Sequence, residues 1–346
     1  MGKSVTIKDI ASRMNVSLST VNKALTGKPG ISEARREEIL KVSREMGYVS
    51  NNVAQIMARH PMTVGIILPD QWQEYFSDIS TGMEKEFERI QKYKIYPSFY
   101  TMTTKDAKDG KFLKEWLAKE NVEAVVLCAS THPGAKNAEV ILENSGIPIF
   151  QLGDEQHCPD VISKVRIDAT QAGKLAADFL ACICKDNIRS AVVTGSMEVE
   201  AHRKKADAFR ERLEKNGGDV VAVLESRDDP DIVYHDIQKL FRKHQDINAI
   251  YVCTSTSVPV CRYLEENHLQ NKVSLITTDI FEDLKAYMKK DVVKATIFQN
   301  QERLGKIAVH SAYEYLVKKN TFSNEEYQPV KHIFIKPVLY LKANIE

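Results

Sequence analysis

Leu18, Ser19, Asn22 and Lys23 lie along one side of a short predicted helix near the start of the chain, where their polar groups and one large apolar side chain face outward, toward whatever the helix binds. The elements that present them follow from spacing. Thr6 can cap a first helix, with Asp9 three residues on, and Ile7, Ile10, Ala11 and Met14 recur at helical spacing on one face. Asn15 stands at the turn, where asparagine tolerates the left-handed backbone such turns need. Ser17 caps a second helix whose Val21, Ala24 and Leu25 face inward. Gly27, Lys28, Pro29 and Gly30 form a loop, Ser32 caps a third helix carrying Ala34, Ile39, Leu40 and Met46, and Gly47 ends it. Three short helices with a tight turn between the first two make a helix-turn-helix.

Charge sets this segment apart. Residues 1–60 carry a net +5 in a chain whose total is +1, so the remainder is mildly acidic. A basic head can neutralise phosphates while an acidic body is held off them. The plainer reading of the same residues is a solvated three-helix domain.

Beyond His60-Pro61 strands alternate with helices: Val64 to Leu68, Ile95 to Phe99, Ala124 to Cys128 and Ile147 to Leu152 are strand runs separated by helical stretches, up to Val165-Arg-Ile-Asp168. The rhythm then repeats with strands at Ser190 to Thr194, Val220 to Leu224, Ala249 to Cys253 and Val273 to Thr278. Strands joined by helical crossovers pair in parallel, so the body reads as two doubly wound lobes. Such sheets bind ligands beyond the carboxyl ends of their strands. The first loop of this kind, Pro69 to Phe76, holds Asp70, Trp72, Tyr75 and Phe76. A sugar ring offers an apolar face to an aromatic and an equator of hydroxyls to a carboxylate. Phe76 suits packing under the following helix equally well. Ser130, Thr131, Thr254 and Ser255 are further strand-end candidates, whereas Asp168 suits a helix cap.

Other classes find little support. The six cysteines show no paired CxxC and read as reduced core thiols of a cytoplasmic protein; neither a metal nor a cofactor is expected. No apolar stretch approaches a membrane span, and the start is a polar capped helix rather than a secretory signal. There is no Walker A motif, no GxGxxG after the first strand, no GxSxG and no HExxH, which argues against an enzyme.

Thr6-Ile-Lys-Asp-Ile-Ala11, Val16-Ser17 through Leu25, and Gly47-Tyr48 through Met57 resemble the DNA-binding head of the lac repressor (LacI/GalR) family of bacterial transcription regulators. The resemblance implies that the second helix lies in the major groove, with Leu18, Ser19 and Lys23 at base edges and Ser17, Thr20 and Asn22 gripping phosphates. It also implies that Asn51, Ala54 and Met57 belong to a hinge helix that orders on the operator and wedges an apolar side chain into the minor groove. Asn22 and Lys23 replace the family's usual Ser and Arg, Met57 stands for a leucine, and Ser50 replaces a proline. Lysine lacks the planar fork that reads guanine bidentately, so operator preference shifts with it.

The body resembles the type I periplasmic-binding-protein fold that this family carries behind its head. The expected architecture is an all-α helix-turn-helix head (1–49), a hinge (50–61) and a two-lobed α/β ligand-binding and dimerisation domain (62–346). The lobes are expected at 62–165 plus 294–327 and at 166–293 plus 328–346, with crossings near Arg166 to Asp168, Lys294 to Asn300 and Gln328 to His332. By resemblance, Arg203, Asp279 and Gln299 grip the ligand, and Tyr75 and Phe76 match an aromatic pair. The implied protein is a repressor-like homodimer, with no membrane partner, that binds a palindromic double-stranded DNA operator under control of a carbohydrate effector. A doubly wound cytosolic enzyme or a solute-binding protein for a sugar-like ligand is the alternative.

Overall fold

The computed structural model describes residues 5–25, 29–46, 60–70, 73–103, 105, 106, 108–128, 132, 134–153, 161–184, 187–319 and 329–345. The head consists of α1 (Ile7–Met14), α2 (Leu18–Leu25) and α3 (Glu33–Glu45). Thr6 and Asp9 cap α1 reciprocally: Thr6 Oγ1 accepts the Asp9 N–H at 3.4 Å, and Asp9 Oδ2 accepts the Thr6 N–H at 2.7 Å. Asn15 takes the left-handed conformation, φ 50°, that turns the chain into α2. Ile10, Ala11, Val21, Ala24 and Ile39 close a small core. The expected hinge, with Asn51, Ala54 and Met57, falls outside the described residues.

Two six-stranded sheets follow. The first lobe runs β1 (Met62–Pro69), α4 (Gln73–Ile90), β2 (Ile95–Met102), α5 (Lys111–Glu120), β3 (Val122–Leu127), α6 (Ala135–Ser145), β4 (Ile149–Leu152) and β5 (Val161–Ile167). The second runs α7 (Ala169–Ile183), β6 (Arg189–Thr194), α8 (Glu200–Lys215), β7 (Asp219–Glu225), α9 (Pro230–Lys243), β8 (Ala249–Val252), α10 (Val258–Glu266), β9 (Ser274–Thr278), α11 (Glu282–Lys289) and β10 (Val293–Phe298). The chain then contributes α12 (Gln301–Lys319), β11 (His332–Ile335) and β12 (Val338–Tyr340). The strand orders are β11-β5-β4-β3-β1-β2 and β12-β10-β9-β8-β6-β7. Every pairing is parallel except that of β12 with β10. Helices cover both faces of each sheet, which is why β1 and β3 are apolar along nearly their whole length: Val64, Ile66, Ile67, Val125 and Val126 are fully buried.

Strand pairing corrects two of the expected lobe boundaries. Residues 294–298 belong to the second lobe, because β10 lies beside β9 with Ile297 opposite Thr278. Residues 332–335 belong to the first, because β11 lies beside β5 with Phe334 opposite Arg166. The second crossing therefore falls at Gln299-Asn300, and the third at Lys336-Pro337 between β11 and β12. Hydropathy alone does not say which sheet such a strand joins.

After its crossing, α12 returns to pack against α4 in the first lobe. The two helices approach so closely at Gly82 that a Cβ there would lie 1.9 Å from the Glu302 carbonyl oxygen. Replacing an ordinary helical glycine with alanine gains about 1 kcal/mol. Here the sign reverses: Gly82→Ala must separate the helices and is expected to lower stability by about 1–3 kcal/mol. Urea melts check this, with a lower midpoint at unchanged slope expected; a midpoint equal to or above wild type refutes it.

Candidate functional site

On the head, α2 presents Leu18, Ser19 and Asn22 to solvent, and Leu18 is 48% exposed although it is a large apolar residue. Ser17 Oγ accepts the Thr20 N–H at 3.1 Å and shares a 2.8 Å hydrogen bond with the Thr20 hydroxyl, so these two polar groups stand together at the start of the helix. Lys23 is half-buried, its carbonyl accepting from the Arg36 guanidinium at 3.1 Å, which ties α2 to α3. The face forms an apolar tip flanked by short hydroxyls and an amide.

The second site lies between the lobes, in a cavity of about 510 Å³. Tyr75 and Phe76 from the first turn of α4 line it, their rings meeting edge-on with centroids 5.3 Å apart. Phe76 is also part of the first lobe's core, so the ring lines the cavity and packs in the core at once. Its floor comes from the second lobe. Asp279 follows β9 in a left-handed turn, φ 66°, fixed by its N–H on the Ile297 carbonyl and by the Thr296 hydroxyl on its own carbonyl. Gln299 Nε2 donates to Asp279 Oδ2 at 2.7 Å, and Gln299 Oε1 accepts from Lys205 Nζ at 3.3 Å. Lys205, Asp279 and Gln299 are 4%, 1% and 6% exposed. Asp228 joins them from the loop after β7, its Oδ1 accepting from the Thr256 hydroxyl at 3.3 Å.

Burial dominates the electrostatics. It pushes the Asp279 carboxyl up to about 6, against the pull of Lys205 and of hydrogen bonds from Gln299 and Gln301. Burial raises Asp228 as well. His202 is driven down to about 3 by burial and by the Lys205 charge. Its Nδ1 accepts the Ser196 N–H at 3.2 Å, so the neutral ring carries its proton on Nε2.

Of the expected ligand residues, Tyr75, Phe76, Thr254, Asp279 and Gln299 line the cavity. Three do not. Ser130 lies outside the described residues. Asp70 stands apart from the cavity lining, its carboxylate 3.2 Å from His132 Nε2. Arg203 is exposed on α8 and donates to the Met197 carbonyl at 3.2 Å. The α8 cation that reaches the cavity is Lys205, because two residues along a helix turn the side chain by about 200°. Its signal was in the sequence: Lys205, Phe209 and Leu213 fall four apart, so a lysine sits on the apolar stripe. Asp228 and Arg166, which also line the cavity, carried no comparable spacing signal.

Residues 64–320 match the family model of the periplasmic binding protein domain, and residues 6–51 match that of the bacterial regulatory proteins of the lacI family. The chain belongs to the LacI family: it is a DNA-binding transcription regulator with a periplasmic-binding-protein-like domain, in a family of regulators rather than enzymes. It is similar to catabolite control protein A of Priestia megaterium, 27% identical over 72% of this chain and 74% of the relative. It matches the Staphylococcus epidermidis protein of that name over 52% of the relative's length, also at 27% identity. Among solved structures, a glucose-galactose binding protein from Geobacillus stearothermophilus superposes with a TM-score of 0.70 at 18% identity, covering 83% of this chain and 99% of the other. A LacI transcriptional regulator from Bacteroides fragilis, described as putative, superposes at 0.68 with 16% identity over the same shares. At these identities the structural likeness establishes the fold.

An unfolded aspartate titrates near 3.8 and the folded Asp279 near 6, so between those values the folded protein holds more protons. The contribution of Asp279 therefore favours folding at the acidic end and is lost as pH rises through about 6. Asp279→Asn cannot titrate. Urea melts from about pH 4 to about pH 7 should show wild type losing stability relative to this variant as pH rises, whereas parallel profiles would contradict the assignment.

Proposed function

We propose that the protein is a cytoplasmic repressor-type regulator that binds a palindromic operator as a homodimer and releases or tightens its grip in response to a carbohydrate between its lobes. In this reading α2 enters the major groove, with Leu18, Ser19 and Lys23 against base edges and Ser17, Thr20 and Asn22 against phosphates. Residues 50–59 serve as the minor-groove hinge, with Asn51, Ala54 and Met57 at the DNA. Tyr75 and Phe76 carry the apolar face of a sugar, while Asp279, Gln299, Thr254 and Lys205 engage its hydroxyls. The absence of a described helix long and apolar enough to cross a membrane is compatible with this placement.

One observation carries the reading. Gln299 stands at a crossing between lobes and is bonded to both Asp279 and Lys205 on the cavity floor, so a ligand competing for those bonds acts on the segment that joins β10 to α12. A ligand favouring one lobe angle shifts the population toward it, and a dimer passes that angle to the paired hinges. No further machinery is needed.

Operator selection from random duplexes, read by fluorescence anisotropy, tests the proposal. A palindrome should be preferred over random DNA with strong salt dependence, and Lys23→Ala should relax preference at one base pair per half-site by about 1–3 kcal/mol. Removing residues 1–60 should abolish DNA binding and leave ligand-induced thermal stabilisation intact. Equal affinity for every duplex would sink the reading.

A further inference from the structure

The charges around the interlobe cavity define which kind of carbohydrate it can hold. Lining it are three cations, Arg166, Lys205 and Arg227, and four acids, Glu198, Glu225, Asp228 and Asp279. The one cation on the floor is already committed: the Lys205 ammonium lies in the field of both Asp228 and Asp279 and donates to Gln299. At the first crossing, the Arg166 guanidinium stacks 4.5 Å from the Phe334 ring centre.

Helix N-termini are the other ready sites for an anion, through their free N–H groups and partial positive charge. Of the helices that start beside cavity-lining residues, three hold their own carboxylates. Asp168 caps α7, its Oδ1 accepting the Gln171 N–H at 2.9 Å, next to the cavity residue Ala169. Asp229 caps α9, accepting from the N–H groups of Asp231 and Ile232 at 2.8 and 3.2 Å, next to Asp228. The α8 start, beside Val199, carries Glu198 and Glu200. A phosphate or carboxylate entering here meets helix ends occupied by like charge.

We infer that this cavity takes an uncharged polyol and excludes phosphorylated and carboxylated sugars. The inference rests on the carbohydrate reading above and narrows it. The floor offers what hydroxyls need: two carboxylates that accept, the Lys205 ammonium and the Nε2–H of a neutral His202 that donate, and an aromatic pair for the apolar face of a ring. Asp228 and Asp279 set the discrimination. Each accepts from a neutral hydroxyl and repels an anion.

Thermal shift followed by titration calorimetry on the full chain tests this with matched pairs: glucose and glucose 6-phosphate, ribose and ribose 5-phosphate, fructose and fructose 1,6-bisphosphate, galactose and galacturonate, with inorganic phosphate alone as a control. At least one uncharged member should raise the melting point and bind at least about tenfold tighter than its charged counterpart. In Asp228→Asn, checked for wild-type circular dichroism, that ratio should shrink, because the variant removes repulsion along with an acceptor. A charged member binding more tightly than its neutral partner overturns the inference and leaves an effector-controlled regulator standing. The inference also falls if no uncharged sugar binds while operator preference persists. If the ligand-free and ligand-bound chains both lack operator preference, the functional reading fails separately.

Discussion

A single side-chain amide reconciles the buried charges at the centre of the core. Gln299 accepts from the Lys205 ammonium and donates to the Asp279 carboxylate, and none of the three is more than 6% exposed. A charge taken out of water costs several kcal/mol unless its partners are well placed. Here the placement depends on backbone geometry that the folds of both lobes must supply. Asp279 is turned inward by its left-handed conformation at the end of β9, and Gln299 is delivered by the exit of β10. The polar floor is thus conditional on the chain crossing between lobes at one defined residue. Any molecule that hydrogen-bonds to this floor must compete with bonds already made there.

The close helix pairs make this geometry reproducible. At Gly173 on α7 a Cβ would lie 2.2 Å from the Lys205 carbonyl oxygen, so α8 can approach near enough for Lys205 to reach the floor from a buried position. Gly82 gives α12 the same intimacy with α4, and α12 begins two residues after Gln299. Both ends of the network are therefore anchored by backbone-to-backbone contact, where movement is rigid-body rather than side-chain adjustment. A change in lobe angle must be taken up at the crossings themselves.

How much of this was legible before folding depended on the range of the interaction. The head was almost fully so: capping by Thr6 and Asp9, the left-handed Asn15 and the inward face of α2 are local patterns, and α1 to α3 follow them. The alternation of buried strands and helices likewise gave the two lobes. The strands near the later crossings were not assignable to a lobe, because β10 and β11 are placed by pairing with β9 and β5, more than ten and more than 150 residues away respectively. The cavity divides the same way. Asp279, Gln299 and Arg203 all came from the family resemblance, and the structure brings the first two to the cavity while Arg203 stays outside it. Helix phase, read against the apolar stripe, selects Lys205. Asp228 reaches the floor through the tertiary arrangement of a loop whose sequence, Ser226-Arg227-Asp228-Asp229, reads as an ordinary turn.

The edge strands also bear on how the protein is made. β11 finishes the first sheet and β12 the second, although both are synthesised after every other described strand of either lobe. Each lobe therefore lacks one edge until translation of the core is nearly over, while the head, local in its contacts, can fold as soon as it leaves the ribosome. For an interval the nascent chain carries a finished reading head without a finished sensor. A chain cut short before β11 would keep that imbalance permanently.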